Sequence, residues 1–247
     1  MERVSGSDAL YRSLELLAHT PRYHRWIMAP FRAYIGNRVL DAGCGTGSMI
    51  GAFLDAALVV GLDVLDEFLS IAAQRWAGRP QVHFYQGDLT HQRLVAELAG
   101  YRFDTVAFIN VLEHLEDDVQ ALRHAYALLH TPGHVLIYVP ASPRVFNRMD
   151  GALGHRRRYS REMLLTRVRR SGFTPVFCRP MNTLGLVAWW VDGRLRGYTA
   201  IPPWQIALFE MLIPLLRPAE TAVRALWPQM PGLSLVCVGR KAEVPPS

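Results

Sequence analysis

Lysine is almost absent from this chain: of 27 basic residues only Lys241 is a lysine, and the rest are arginine. A phosphate loop of the G-x-x-x-x-G-K type needs a lysine directly after its second glycine, so that route to a nucleoside triphosphate is closed. Cysteine is scarce as well. Cys44, Cys178 and Cys237 are odd in number, far apart in sequence and without a C-x-x-C pair. That argues against a disulfide framework or a zinc knuckle and fits a reducing compartment. No apolar run reaches the roughly 20 residues that span a bilayer; LGLVAWWV and IALFEMLIPLLRP come nearest. The N-terminus, MERVSGSDALYRSLELLAH, lacks the basic region, apolar core and small-residue cleavage site of a secretion signal. A cytoplasmic protein, soluble or at most peripheral to a membrane, is expected.

What is present suits one main domain. Half of the 247 residues are apolar, enough for a sizeable α/β core with appendages. The formal charge of +6 favours an anionic partner without identifying one, because arginine-rich usage also follows genomic base composition. From residue 38 onward short β-branched runs alternate with longer amphipathic segments, the rhythm of a parallel sheet. Strands are expected at 38–42, 58–62, 82–85, 104–109 and 134–139. Helices are expected near 47–55, 66–77, 91–99 and 117–129, with Asp66 capping the second and Gly133 stopping the fourth. A long loop, 140–159, then leads to a helix capped by Ser160 and ended by Gly172, and TPVFCRP and LSLVCVG read as the last two strands. The expected organisation of 1–247 is a helical cap at 1–36, a core sheet at 37–181 and 232–241, and a helical insertion at 182–231.

The stretch VLDAGCGTG carries the first chemical signal. A strand ending in Asp41, a tight glycine turn and a following helix bring backbone close to a nucleotide. The dinucleotide fingerprint G-x-G-x-x-G requires glycine where this chain has Ser48, so a pyrophosphate cofactor does not fit Gly43, Gly45 and Gly47. A nucleoside without phosphates remains. Asp63, at the end of the second strand, is placed to accept from both ribose hydroxyls, and Asp88, after the third, to meet an adenine amino group.

VLDAGCGTG, VVGLDVLDEFLSIAA, VHFYQGDL and FDTVAFINVLEHLEDD, in that order and spacing, resemble the cofactor motifs of class I S-adenosylmethionine-dependent methyltransferases. VLEHLEDD, VPAS, LGHRRRY and NTLGLVAWW are similar to a bacterial subgroup known as type 11 or type 12. The resemblance implies a three-layer, Rossmann-like α/β sandwich whose seven-stranded sheet runs 3-2-1-4-5-7-6 with the last strand antiparallel. It also implies S-adenosylmethionine as methyl donor and no metal. Carried over by motif, Asp41, Gly43 and Gly45 would face the methionine part of the cofactor, Asp63 would hold the ribose, Asp88 with Leu89 the adenine, and Asn110, Val111 and Leu112 would line the sulfonium side; Cys44 and Val64 are further cofactor-binding candidates.

Methyl transfer from a sulfonium is an in-line displacement, in which positioning carries much of the rate and a base depends on the acceptor. His155, in the loop after the fifth strand, and His114, in VLEHLED, compete for the role of base, with His155 leading. Arg157 in the run RRRY offers a fork for a carboxylate or phosphate, unless an arginine of that run pairs with Asp150. Tyr159 reads either as pocket wall or as packing at the helix entry. Tyr23 and Trp26 of the N-terminal segment and Trp189 of the insertion are further acceptor-side candidates. The insertion itself reads as a lid, a homodimer contact or a membrane-surface helix. The expected acceptor is a small molecule methylated at a hydroxyl or carboxylate oxygen. A lipid-linked or envelope glycan is the alternative. An RNA acceptor fits less well, with no appended RNA-binding module, basic tail or Asn-Pro-Pro-Tyr-like motif.

Overall fold

In the computed structural model of this protein, residues 15–227 and 230–242 are described. Seven strands form one sheet: β1 (Arg38–Ala42), β2 (Leu58–Asp63), β3 (Val82–Gln86), β4 (Phe103–Ile109), β5 (Leu129–Pro140), β6 (Thr174–Met181) and β7 (Ser234–Lys241). Their order is β3-β2-β1-β4-β5-β7-β6, and β7 runs antiparallel to both of its neighbours while the other pairs are parallel. The late strands thus complete the sheet as the resemblance implies.

The sheet is covered on both sides, which is why its central strands are apolar at consecutive positions rather than alternate ones. Leu40 of β1 joins a core cluster with α3 (Gln92–Leu98), α4 (Asp118–Leu128) and α6 (Arg161–Arg170). Its neighbour Val39 faces the opposite cluster, with α1 (Pro21–Met28), α2 (Asp66–Arg75) and Ile213. β7 divides in the same way, Leu235 and Cys237 to one side, Val236 and Val238 to the other. Cys178 and Cys237, distant in sequence, stand opposite each other across β6 and β7 as buried free thiols.

Several local expectations are corrected. No helix fills 47–55; a single 3-10 turn, Ile50–Phe53, stands there. The carbonyls that would start a helix are taken from α2, Thr46 O by Arg75 Nη1 at 2.7 Å and Gly47 O by Trp76 Nε1 at 2.7 Å. Asp66 does not cap α2 but is its first residue, after an extended Leu65. With Glu67 it places negative charge in the first turn, where the helix dipole favours it. Gly133 does not stop α4, which ends at Leu128; Leu129 is already extended and pairs with Phe103, so β5 begins before Pro132. The Ser160 cap stands, its hydroxyl accepting from Met163 N at 3.1 Å, and Gly172 follows α6 at φ +95°.

Within the 140–159 loop lies a short helix, α5 (Arg148–Ala152), held by a capping box between Asn147 and Asp150. The insertion holds α7 (Thr183–Trp190), which runs into a π-turn at Val191–Leu195, and the 24-residue α8 (Pro203–Leu226). α8 passes through Pro214 and Pro218. The Glu210 carbonyl, which Pro214 cannot serve, accepts from Arg22 Nη1 at 3.4 Å. Glu210 also receives the backbone N–H groups of Arg22 and Tyr23 on its carboxylate, fastening α8 to α1. Tyr11 and the VPPS tail lie outside the described residues.

Candidate active site

The carboxyl ends of β1, β2 and β4 bring the glycine turn, Asp63 and Asn110 to one edge of the sheet. Gly43 and Cys44 donate their N–H groups to the Leu62 carbonyl at 2.7 and 2.9 Å, folding the turn back on β2. Gly45 N donates to Asp63 Oδ2 at 2.8 Å, and Leu65 N to Asp63 Oδ1 at 3.0 Å. Each Asp63 oxygen is therefore oriented by one backbone donor and keeps lone pairs free. Gly43 stands at φ +78°, and a Cβ there would lie 2.5 Å from Val111 Cγ2, so only glycine lets β1 and β4 approach this closely. Asn110, at φ +55°, ends β4 in a left-handed conformation that asparagine tolerates better than most residues.

Asp41 is buried, and its Oδ2 has no hydrogen-bond partner among the described residues. Burial, reinforced by Asp63, pushes its carboxyl up to about 7. Burial likewise raises the Cys44 thiol, with Asp41 and Asp63 adding to it, so Cys44 is a packed, protonated neighbour of the turn. Val64 is exposed beside Asp63. Leu89 has a core side chain, leaving only its backbone for a ligand. Asp88 Oδ1 accepts from the Thr90 N–H and hydroxyl at 2.8 and 2.7 Å.

A cavity of about 750 Å³ opens next to this edge, lined by Asp88, Thr90, His114, Leu115, Glu116, Asp117 and Arg156. His114, not the leading candidate His155, reaches its wall. His155 stacks edge-on behind it with ring centroids 5.0 Å apart, and its Nδ1 lies 2.8 Å from Asp150 Oδ1. Burial, together with His155, holds His114 down at about 4. Glu113, whose role the sequence left unexamined, is fully buried beside both rings with neither oxygen hydrogen-bonded among the described residues. Burial pushes its carboxyl up to about 8. One sequence signal was available: a carboxylate between Leu112 and Leu115, four residues after the end of β4.

The acceptor-side candidates separate. Tyr159 is 0% exposed; its hydroxyl lies 2.7 Å from Asp118 Oδ2 and 2.9 Å from the Leu112 carbonyl oxygen, so it packs the helix entry and lines neither of the two cavities described here. Arg157 is bound to Asp118 and the Glu116 carbonyl, and Arg156 is the arginine that faces the cavity. Arg158 is the one that pairs with Asp150, at 2.7 Å, under the Trp189 ring. Trp189 is itself 7% exposed, with its Nε1 3.4 Å from Asp150 Oδ2. Asp150, despite its burial, is kept below the usual carboxylate range by the His155 hydrogen bond and by Arg158. Tyr23 and Trp26 line neither of the two cavities described here: Trp26 packs on Phe209 of α8, and the Tyr23 hydroxyl lies 3.3 Å from that of Tyr138.

Residues 40–135 match the family model of a methyltransferase domain. A ubiquinone biosynthesis O-methyltransferase of Haemophilus ducreyi is 30% identical over 126 residues, which is 50% of this chain and 52% of that protein. The chain thus spans about half the length of the curated relatives it matches. Among solved structures, the 1,6-didemethyltoxoflavin N1-methyltransferase of Burkholderia thailandensis, with its acceptor and S-adenosylhomocysteine bound, superimposes at TM-score 0.58 with 21% identity over 96% of this chain and 85% of that one. The methyltransferase complexed with the Trm112 activator of Haloferax volcanii does so at 0.62 with 15% identity, covering 98% and 100%. At these identities the structures speak to the fold alone.

Proposed function

We propose that this chain is a class I S-adenosylmethionine-dependent methyltransferase and that it transfers a methyl group from S-adenosylmethionine to an oxygen of a small-molecule acceptor, a reading supported by the match of residues 40–135 to a methyltransferase-domain model and by the relatives above. One observation carries the donor half: the glycine turn is tied through Gly45 to an oriented Asp63, over a buried Asp41 oxygen with no partner among the described residues. These residues fit an adenosyl amino acid. Asp63 presents two oxygens to two adjacent hydroxyls, Asp41 a buried acceptor to an ammonium, and Asp88 a carboxylate to an amino group. When bound, that cofactor supplies an electrophilic methyl on a sulfonium. The chain supplies placement: Gly43 keeps Val111 close, and Asn110 turns the end of β4 toward the same edge.

On the acceptor side, Glu113, His114 and His155 gather electron-pair donors beside the cavity. A hydroxyl placed there has somewhere to send its proton, whereas a carboxylate acceptor would need no such group, so the cluster favours a hydroxyl. Isothermal calorimetry with S-adenosylhomocysteine tests the reading. Wild-type chain is expected to bind, and Asp63→Asn to bind at least about tenfold more weakly, a difference of about 1.4 kcal/mol. Absence of wild-type binding removes the donor assignment.

A second reading, a lipid-linked acceptor met at a membrane surface, is favoured by the insertion. Trp190, Leu195, Trp204, Met211 and Leu215 are exposed on it, and Leu195 joins Arg148, Arg194 and Arg196 in lining a cavity of about 470 Å³. No described helix is long and apolar enough to cross a membrane, so such contact would be interfacial.

A further inference from the structure

We propose that Glu113, His114 and His155 form a binding site for one divalent transition-metal ion of the zinc type, against the expectation that no metal takes part. The three side chains each offer a ligand atom, and these atoms lie within 4.8 Å of one another. Ligand bonds of about 2.0–2.2 Å in a tetrahedral arrangement put donor atoms roughly 3.4 Å apart, so modest rotations of the two rings close the set.

The hydrogen bonds around the cluster prepare it for a cation. The Gly154 carbonyl, 3.3 Å from His114 Nδ1, can only accept, so the proton of that neutral ring sits on Nδ1 and Nε2 is bare. Asp150, held ionised by Arg158, accepts from His155 Nδ1 at 2.8 Å. His155 Nε2 is then bare as well, and it faces Glu113 Oε1 at 4.0 Å. Two lone pairs at that separation make no hydrogen bond; they are the two sides of a place for something positive. A carboxylate or carbonyl behind each ligating imidazole is the usual outer support of a metal site, fixing both tautomer and ring orientation.

Glu113 makes the case independent of the histidines. It is 0% exposed, and neither of its oxygens finds a donor among the described residues. An ionised carboxylate left so is costly, so without a cation Glu113 keeps its proton; a metal ion displaces that proton and satisfies both the charge and the lone pairs. The nearby guanidinium of Arg158 does not do so; it is spent on Asp150 Oδ1 and the Ala141 carbonyl. Two imidazoles and one carboxylate form a set suited to zinc and its neighbours rather than to magnesium, which prefers all-oxygen ligands. Three protein ligands also leave a position open, and His114 turns the site toward the 750 Å³ cavity. That an acceptor hydroxyl takes this open position rests on the methyltransferase reading; the binding of the ion does not.

The test uses untagged full-length chain, stripped with a chelator and titrated with Zn²⁺ by calorimetry, alongside S-adenosylhomocysteine titrations of the same samples. One ion per chain is expected, with affinity falling at least about tenfold in Glu113→Gln and in His155→Ala, and by a factor of about 10–100 in Asp150→Asn. Zn²⁺ is also expected to raise the melting temperature of wild type and not of Glu113→Gln, a variant that removes the ligating carboxylate without removing bulk. Zinc binding that is absent, or unchanged in Glu113→Gln and His155→Ala variants that still bind S-adenosylhomocysteine, overturns the site while leaving the methyl-donor reading intact. Stoichiometric zinc with no binding of S-adenosylhomocysteine does the reverse.

Discussion

At the scale of single residues, Asp41 has the sharpest consequence. Burial and then Asp63 raise its carboxyl from the ordinary 3.8 to about 7. Between those values the folded chain keeps a proton that the unfolded chain has lost, so stability from this group is greatest at the acid end and declines as pH rises through the window. Cofactor binding runs the other way, because an ammonium needs the ionised form. Affinity for S-adenosylhomocysteine is expected to climb as pH rises toward 7, and Asp41→Asn to flatten that rise while making the unliganded fold less sensitive to pH. Calorimetry and thermal melts at matched pH values from about 5 to 8 check both, and a pH-independent wild-type affinity contradicts the assignment. Gly43→Ala should cost more than about 1 kcal/mol, since it joins a forced positive φ to a clash with Val111, and should weaken cofactor binding as the turn shifts. Tyr159→Phe separates packing from recognition. It removes one buried hydroxyl proton shared between Asp118, which keeps Arg157 and Arg167, and the Leu112 carbonyl, so stability should fall by about 1–3 kcal/mol in a denaturant melt with no change in KM for the acceptor.

At the scale of elements, the insertion is where adjacent residues part company. Trp189 is buried under Arg158, and Trp190, one position on, is 43% exposed. Trp189→Ala should destabilise the fold by about 3–5 kcal/mol, and Trp190→Ala should leave the melting temperature nearly unchanged. If the insertion meets lipid, Trp190→Ala combined with Trp204→Ala should abolish sedimentation with anionic vesicles while wild type sediments; failure of wild type to sediment removes the membrane reading. The same contrast shows what the sequence could convey about elements. Strand positions and the Ser160 cap were legible because periodicity and capping chemistry are local. The missing helix at 47–55 was not, because the Arg75 and Trp76 side chains that claim its carbonyls come from another element. Nor was the passage of α8 through two prolines, which depends on Arg22 meeting the carbonyl that Pro214 leaves free.

At the scale of the whole molecule, the proposed donor site couples cofactor binding to folding, since its residues come together only where three strand ends meet. S-adenosylhomocysteine at about 100 times its Kd should stabilise the chain by about 2.7 kcal/mol, read as a rise in melting temperature that grows with ligand concentration. The sequence by itself determined the sheet order, through its resemblance to a known family, and the positions of the residues proposed for the donor half of the site. Asp41, the glycine turn, Asp63 and Asp88 each sit at a strand end, and strand ends can be read from local pattern. Only the tertiary structure decided the acceptor half. Glu113 and His114 are separated from His155 by some forty residues, and it is the short α5 helix, folded back so that Asp150 and Gly154 grip the two rings, that brings them together. It also turned Arg158 and Trp189 inward and Arg156 outward. Side chains one residue apart differ in burial according to what packs against them, and sequence spacing holds no information about that.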